Sequence, residues 1–232
     1  MLVLLAVTVG AAVQGSVGFG ANLTAVPVLA LVEPHALPAT LTLLVMPLAV
    51  AMAWREWHRV DRAGVAWLMV GRLPGTVVGA TVVAVVSGDA LSVLLGAAVL
   101  LAVVMSLRVL TVPVTPATTV GAGAASGVMG TATAIGGPPV ALLYQHHEGP
   151  VLRSTLAVVF AVGTMISLGA QAVAGVVAGW HLVLTAALLP GTTVGLLASG
   201  VIARRIDGRH LRPAVLAFAA ATAVAAIVRG LL

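Results

Sequence analysis

The sequence predicts an all-α polytopic membrane protein built from two homologous four-segment repeats in inverted arrangement. The first segment of each repeat is glycine/proline-broken or re-entrant. Three observations carry this prediction. Only 7% of the 232 residues are charged and 61% are hydrophobic, with mean hydropathy +1.19, whereas a soluble domain has about 25% charged residues. Apolar runs recur at close to the roughly 20 residues that span a bilayer as helix, without the short alternating segments of a β-barrel. Finally, the chain repeats itself.

The first segment, 2–32, begins MLVLLAVTVGAAVQG. It lacks the positively charged start of a secretory signal, so it reads as a membrane segment. GSVGFGANLTAVP at 15–27 interrupts it. Segment 36–54 follows, then an arginine-bearing loop. Segment 63–86 carries Arg72 directly before the LPG turn at 73–75, and segment 89–107 closes the first half. Segment 117–143 holds the second interruption, GVMGTATAIGGPPV at 127–140. Segments 154–178, 182–203 and 211–231 complete the chain. Trp54, Trp57, Trp67, Tyr144 and Trp180 fall near segment ends, as interfacial aromatic anchors do.

The repeat is visible in two places. LPGTVVG at 73–79 returns as LPGTTVG at 189–195, and GSVGFGANLTAVPV at 15–28 aligns without gaps on GVMGTATAIGGPPV at 127–140. Gly15 falls on Gly127, Gly18 on Gly130 and Pro27 on Pro139. Asp89 and Asp207 open the last segment of each half. The halves are 1–115 and 116–232, one integrated transport domain, since internal repeats of this kind place a transport site at their interface.

All eleven basic residues are arginine, and the net charge is +5. Their clustering in short loops fits membrane orientation rather than nucleic acid. Arg55, Arg59 and Arg62 mark loop 54–62. Arg204, Arg205, Arg209 and Arg212 mark loop 204–212. Both loops should be cytoplasmic, yet five segments separate them. The conflict disappears if 117–143 enters and leaves by one face, and 2–32 should then do the same. Three crossings plus a hairpin per half would make the halves inverted.

The chemistry of the glycine stretches follows from their flanks. A phosphate loop needs a strand before it and a helix after it; here both flanks are apolar segments, and neither GxxxxGK[ST] nor GxGxxG is present. A helix break fits better. Proline removes a donor, and half-helix N-termini favour an anion. Unwound backbone at that depth needs protein or a water-filled cavity beside it. The GxxxG pairs Gly75/Gly79, Gly191/Gly195 and Gly175/Gly179 read first as close-packing faces, within one chain or in a homo-oligomer.

Together the paired glycine/proline stretches, the short helical chain and its duplication resemble the sulfite exporter TauE/SafE family. The residues that carry the likeness are 15–27 and, more closely, 127–139. In the first stretch Asn22-Leu23-Thr24 stands where a denser glycine cluster is expected. The resemblance implies a transporter of sulfite, a sulfonate or a related small sulfur-containing anion. It also implies residence in the lipid bilayer of a bacterial inner (plasma) membrane.

Arg72 is the strongest candidate for the anion charge. A mid-membrane arginine is expensive and should face a cavity or a partner. The alternative is that it bonds carbonyls freed by Pro74, or snorkels. Gln14, Ser16, Asn22 and Thr24 cluster in the first break, Ser126, Thr131 and Thr133 in the second, and Thr76, Thr192 and Thr193 follow the LPG turns. Each can donate to an oxyanion or bond back to its own helix. His35, His146 and His147 are candidates for gating or proton linkage, set against plain interfacial loop positions. No metal constellation, cofactor motif or cysteine is present, and HExxH and Ser–His–Asp patterns are missing, so the chain does not read as an enzyme. None of the six acidic residues falls clearly at mid-membrane, which leaves coupling to H+ or Na+ open beside a passive anion facilitator. A non-transporting membrane scaffold is the remaining alternative.

Overall fold

The computed structural model describes residues 1–86, 89–107, 112–205 and 208–231. Asp207 lies outside the described residues, as do the side chains of Asp89, Arg204, Arg205, Arg209 and Arg212. Among the described residues the chain is helical, with no strand. In chain order the helices are α1 (Leu2–Val17), α2 (Ala21–Val32), α3 (Ala39–Glu56), α4 (Arg62–Val85) and α5 (Asp89–Leu107). They are followed by α6 (Pro116–Thr133), α7 (Gly137–Tyr144), α8 (Gly149–Val173), α9 (Gly179–Arg205) and α10 (Gly208–Leu231). Short 3-10 turns at Pro34–Ala36 and Trp57–Arg59 flank α3. Five of the described helices are long and apolar enough to cross a membrane.

The first interruption is made by glycine. Gly18 and Gly20 have φ of 101° and 113°, which side chains with a Cβ resist, and α1 stops there. Pro27 lies inside α2 and does not end it. The expected LPG turns are not turns: Pro74 sits within α4 and Pro190 within α9. Packing against neighbouring helices lets membrane helices carry such prolines. The second interruption, Ala134–Gly136, follows Thr133, with Ala134 at φ 60°; Pro138 at the start of α7 suits its position, where a missing N–H leaves no bond unmade.

Glycine decides which helices meet. A Cβ at Gly71 would overlap the Val120 carbonyl, one at Gly75 the Ala124 carbonyl, and one at Gly123 the Leu68 carbonyl. So α4 and α6 run parallel, backbone against backbone. Gly191 faces Leu4 and Thr8, Gly195 faces Thr8 and Ala11, and Gly15 faces Ser199, so α1 and α9 are parallel as well. The Gly75/Gly79 and Gly191/Gly195 pairs therefore pack within the chain. Gly175 and Gly179 face open space.

These contacts fix two hairpins. Tyr144, at the end of α7, donates to the Asp61 carboxylate at 2.8 Å, and Asp61 caps the start of α4 by accepting from the Gly64 amide at 2.9 Å. Since α6 starts where α4 starts, α6 and α7 leave and return at one end. The other hairpin is reversed. The His35 carbonyl, just past α2, lies 3.2 Å from Nε2 of His181 at the start of α9, and α1 runs alongside α9. Tyr144 is thus fully buried and tied to Asp61, not an interfacial anchor. The four tryptophans are exposed, Trp54 most at 87%.

Candidate anion site

The two interruptions meet inside the bundle. Asn22 Nδ2 donates to the Ala134 carbonyl at 2.6 Å, which joins the start of α2 to the second break. Beside this contact lies a cavity of about 40 Å³, more than the roughly 10–15 Å³ that admits one water. Gln14, Asn22, Arg72, Thr42, Phe19 and Gly136 are among its walls. The N-terminal ends of α2 and α7 both border it, so each aims the positive end of a peptide-dipole stack at the space.

Arg72 is buried, 2% exposed, ten residues beyond the start of α4. Its Nη1 donates to Ser126 Oγ at 2.6 Å, and Ser126 Oγ donates in turn to the Gly136 carbonyl at 2.6 Å. The guanidinium is therefore held by the second break and not by carbonyls freed at Pro74. Its Nε is buried with no hydrogen-bond partner among the described residues. Gly163 on α8 leaves room for it, since a Cβ there would overlap the guanidinium. Among the described residues no carboxylate lines the cavity. Gln14 Oε1 accepts from the Ala21 amide at 3.2 Å, and its Nε2 is a second buried donor without a partner among the described residues.

The remaining predicted residues divide by what their hydroxyls touch. Ser16 donates to the Ala12 and Ser199 carbonyls, Thr24 to the Ala6 and Ala21 carbonyls, Thr133 to Met129 and Thr192, at the long distance of 3.5 Å, to Leu188. These are bonds to helix carbonyls, away from the cavity walls. Thr131 shares a 2.8 Å bond with Ser167. Thr76 Oγ1 is buried and unpartnered among the described residues, outside the cavity. His35 is exposed beside Glu33 at 3.3 Å. His146 and His147 sit in the turn after α7, with the His147 ring 4.9 Å from that of Tyr144. None of the three histidines borders the cavity. Among the described residues no group of three metal-ligating side chains forms.

Sequence reasoning missed Phe19, Thr42, Phe160 and Thr164 in the cavity wall, and Gln171 behind it. Gln171 is fully buried on α8 and donates to the Thr131 carbonyl at 2.8 Å and to Thr42 Oγ1 at 3.2 Å. It ties α8 to α6 and α3. An amide within an apolar segment is a detectable signal, of the same kind that marks Arg72. The aromatic wall residues carry no such signal.

Such a site can hold a small anion: among the described residues it has one fixed positive charge, two spare N–H donors, two helix N-termini and no competing acid. Neither a curated protein nor a solved structure matches the chain. A sequence model of the sulfite exporter TauE/SafE family matches residues 2–226, and the chain, an integral membrane protein, belongs to that family.

Proposed function

We propose that this protein is a secondary transporter that carries a small sulfur-containing oxyanion and binds it in the Arg72 cavity. The observation that supports this best is the state of Arg72. It is a buried guanidinium with, among the described residues, no acid in its cavity and no partner for its Nε donor. Burying such a charge is costly without a counter-charge, and an oxyanion supplies one together with acceptors for Arg72 and Gln14. Asn22 lies close enough to exchange its bond with Ala134 for one to the ligand. Ser126 positions Arg72. The reading gives Thr131 a supporting place through Gln171 and leaves Ser16, Thr24, Thr76, Thr133 and Thr192 to packing between helices.

In this reading, 1–115 and 116–232 are inverted repeats of one transport domain. The exchange of partners supports it. In the first half α4 packs on α6 of the second, and α9 of the second packs on α1 of the first. Asn22 and Ala134, which occupy equivalent places in the two aligned stretches, bond to each other, as residues on a pseudo-two-fold axis would. Each hairpin is then re-entrant, from opposite faces, and loops 54–62 and 204–212 both face the cytoplasm. Relative movement of the halves would expose the cavity to each side in turn.

The test is binding of sulfite, sulfate, thiosulfate and a small sulfonate to purified protein, repeated on Arg72→Gln. Saturable binding of at least one that weakens sharply in the variant is expected. Equal binding by both proteins would remove Arg72 from the site. Reconstituted flux then separates accumulation against a gradient from downhill conduction.

A further inference from the structure

We propose that Phe19 is the gate between the Arg72 cavity and the end of the bundle where α3 ends and α8 begins. A second cavity, of about 100 Å³, lies on that side. Met105, Leu142, Gln145 and Leu152 line it, and all four fall within a few residues of the ends of α5 and α7 or the start of α8. Phe19 and Pro138 line both cavities, so these two side chains form the partition between them. Pro138 is fixed in the first turn of α7. Phe19 stands on unwound backbone between Gly18 and Gly20, both with positive φ, where glycine makes backbone rotation cheap.

The closed position is built, not incidental. Phe19 is 8% exposed. It lies against the start of α7, where a Cβ on Gly137 would come within 3.2 Å of both Phe19 Cβ and Phe160 Cζ. Gly137 thus leaves space for two aromatic rings beside the cavity. Behind the hinge, Gly18 abuts Arg153, whose Nε is 3.3 Å from Glu56, and Glu56 also pairs with Arg55 at 3.1 Å. Arg55 in turn donates to the Gly15 carbonyl at 3.3 Å, one turn before the hinge. An ionic cluster therefore holds the chain on the N-terminal side of the ring, at Gly15 and Gly18. Swinging Phe19 aside would join the two cavities into one path.

The chain has no cysteine, so single cysteines report access directly. Val45→Cys probes the inner cavity and Leu142→Cys the outer one. Each is placed in chains carrying Phe19, Phe19→Ala or Phe19→Trp. Sealed vesicles are treated from either face with a small, membrane-impermeant methanethiosulfonate bearing a sulfonate. From the gated face Leu142→Cys should react at one rate in all three backgrounds. Val45→Cys should react slowly with Phe19, at least about tenfold faster with Ala, and no faster with Trp. Equal Val45→Cys rates in all three backgrounds would overturn the gate. If the Ala background changes the Leu142→Cys rate, Phe19→Leu decides by the same criterion. The proposal rests on the Arg72 cavity being the anion site, but labelling needs no transported anion. An accelerated Val45→Cys rate beside anion binding indifferent to Arg72→Gln would keep the gate and sink the transport reading.

Discussion

At the residue scale the weight falls on Arg72. The repeats are closely matched around it, LPGTVVG against LPGTTVG, but the residue before the second copy is Leu188. In the proposed repeat arrangement Arg72 thus has no counterpart in the second half. Hydrogen bonds to charged groups contribute about 1.5–3 kcal/mol, so Arg72→Gln should weaken anion binding roughly 10–100-fold, read by titration calorimetry of purified protein. Ser126 acts through Arg72 and the Gly136 carbonyl. Ser126→Ala should weaken binding by less, roughly 2–10-fold, because the Arg72 charge stays and only its positioning is lost, and Ser126→Thr should recover part of the loss. A Ser126→Ala effect as large as that of Arg72→Gln would mean that Ser126 meets the anion itself. Arg72 is legible in sequence because charge amid apolar residues is rare. Which hydroxyl serves is not legible. Thr133 and Thr192 look like Ser126 in sequence, but helix phase turns them to their own carbonyls, and phase across a break cannot be counted through.

At the element scale, glycine has two separable uses, and single substitutions distinguish them. Gly121 and Gly123 are both in α6. A Cβ at Gly121 meets nothing within 4 Å, while one at Gly123 overlaps the Leu68 carbonyl of α4. Gly121→Ala should therefore stabilise by about 0.4–1 kcal/mol through lower unfolded-chain entropy and better helix propensity. Gly123→Ala should lower the melting temperature in detergent by forcing α4 and α6 apart. At the first break the use is conformational. Gly20→Ala places a Cβ at left-handed φ, costing about 1–2 kcal/mol. Gly18→Ala adds contacts of 3.0 and 3.3 Å to Arg153 Cγ and Cα, so it should melt lower than Gly20→Ala. The reverse order would mean that Arg153 yields freely. The segments themselves are legible to within a few residues because composition alone sets a bilayer span. The site of interruption is less so. Proline reads as the breaker in sequence, but Pro27, Pro74 and Pro190 all sit inside helices, where packing neighbours compensate for the lost bond, and the left-handed turns come from Gly18 and Gly20 at the first break and Ala134 at the second.

At the scale of the whole molecule, the arrangement turns on which ends of the helices lie together. The charge bias of arginine would put loops 54–62 and 204–212 on one side, although five apolar segments separate them, and a count of full crossings would contradict that. The contacts favour the same-side reading. Arg55 at the end of α3 donates to the Gly15 carbonyl, and the neighbouring Ser16 donates to the Ser199 carbonyl near the end of α9 at 3.1 Å. The ends of α3 and α9 are therefore at one end of the bundle. His181, at the start of α9, meets the His35 carbonyl at the opposite end. Between the loops, α4, α5, α8 and α9 are each long and apolar enough to cross, while the α6–α7 hairpin returns to Asp61; in the proposed reading that makes four crossings. Single cysteines replacing Arg59 and Arg209 should accordingly react with an impermeant thiol reagent from the same face, the inside face of oriented vesicles. Cysteine in place of Ala178, in the turn before α9, should react only from the other face. If positions 59 and 209 label from opposite faces, the hairpin crosses the membrane in full, the halves lose their inverted relation, and the Asn22–Ala134 contact could not lie on a two-fold axis.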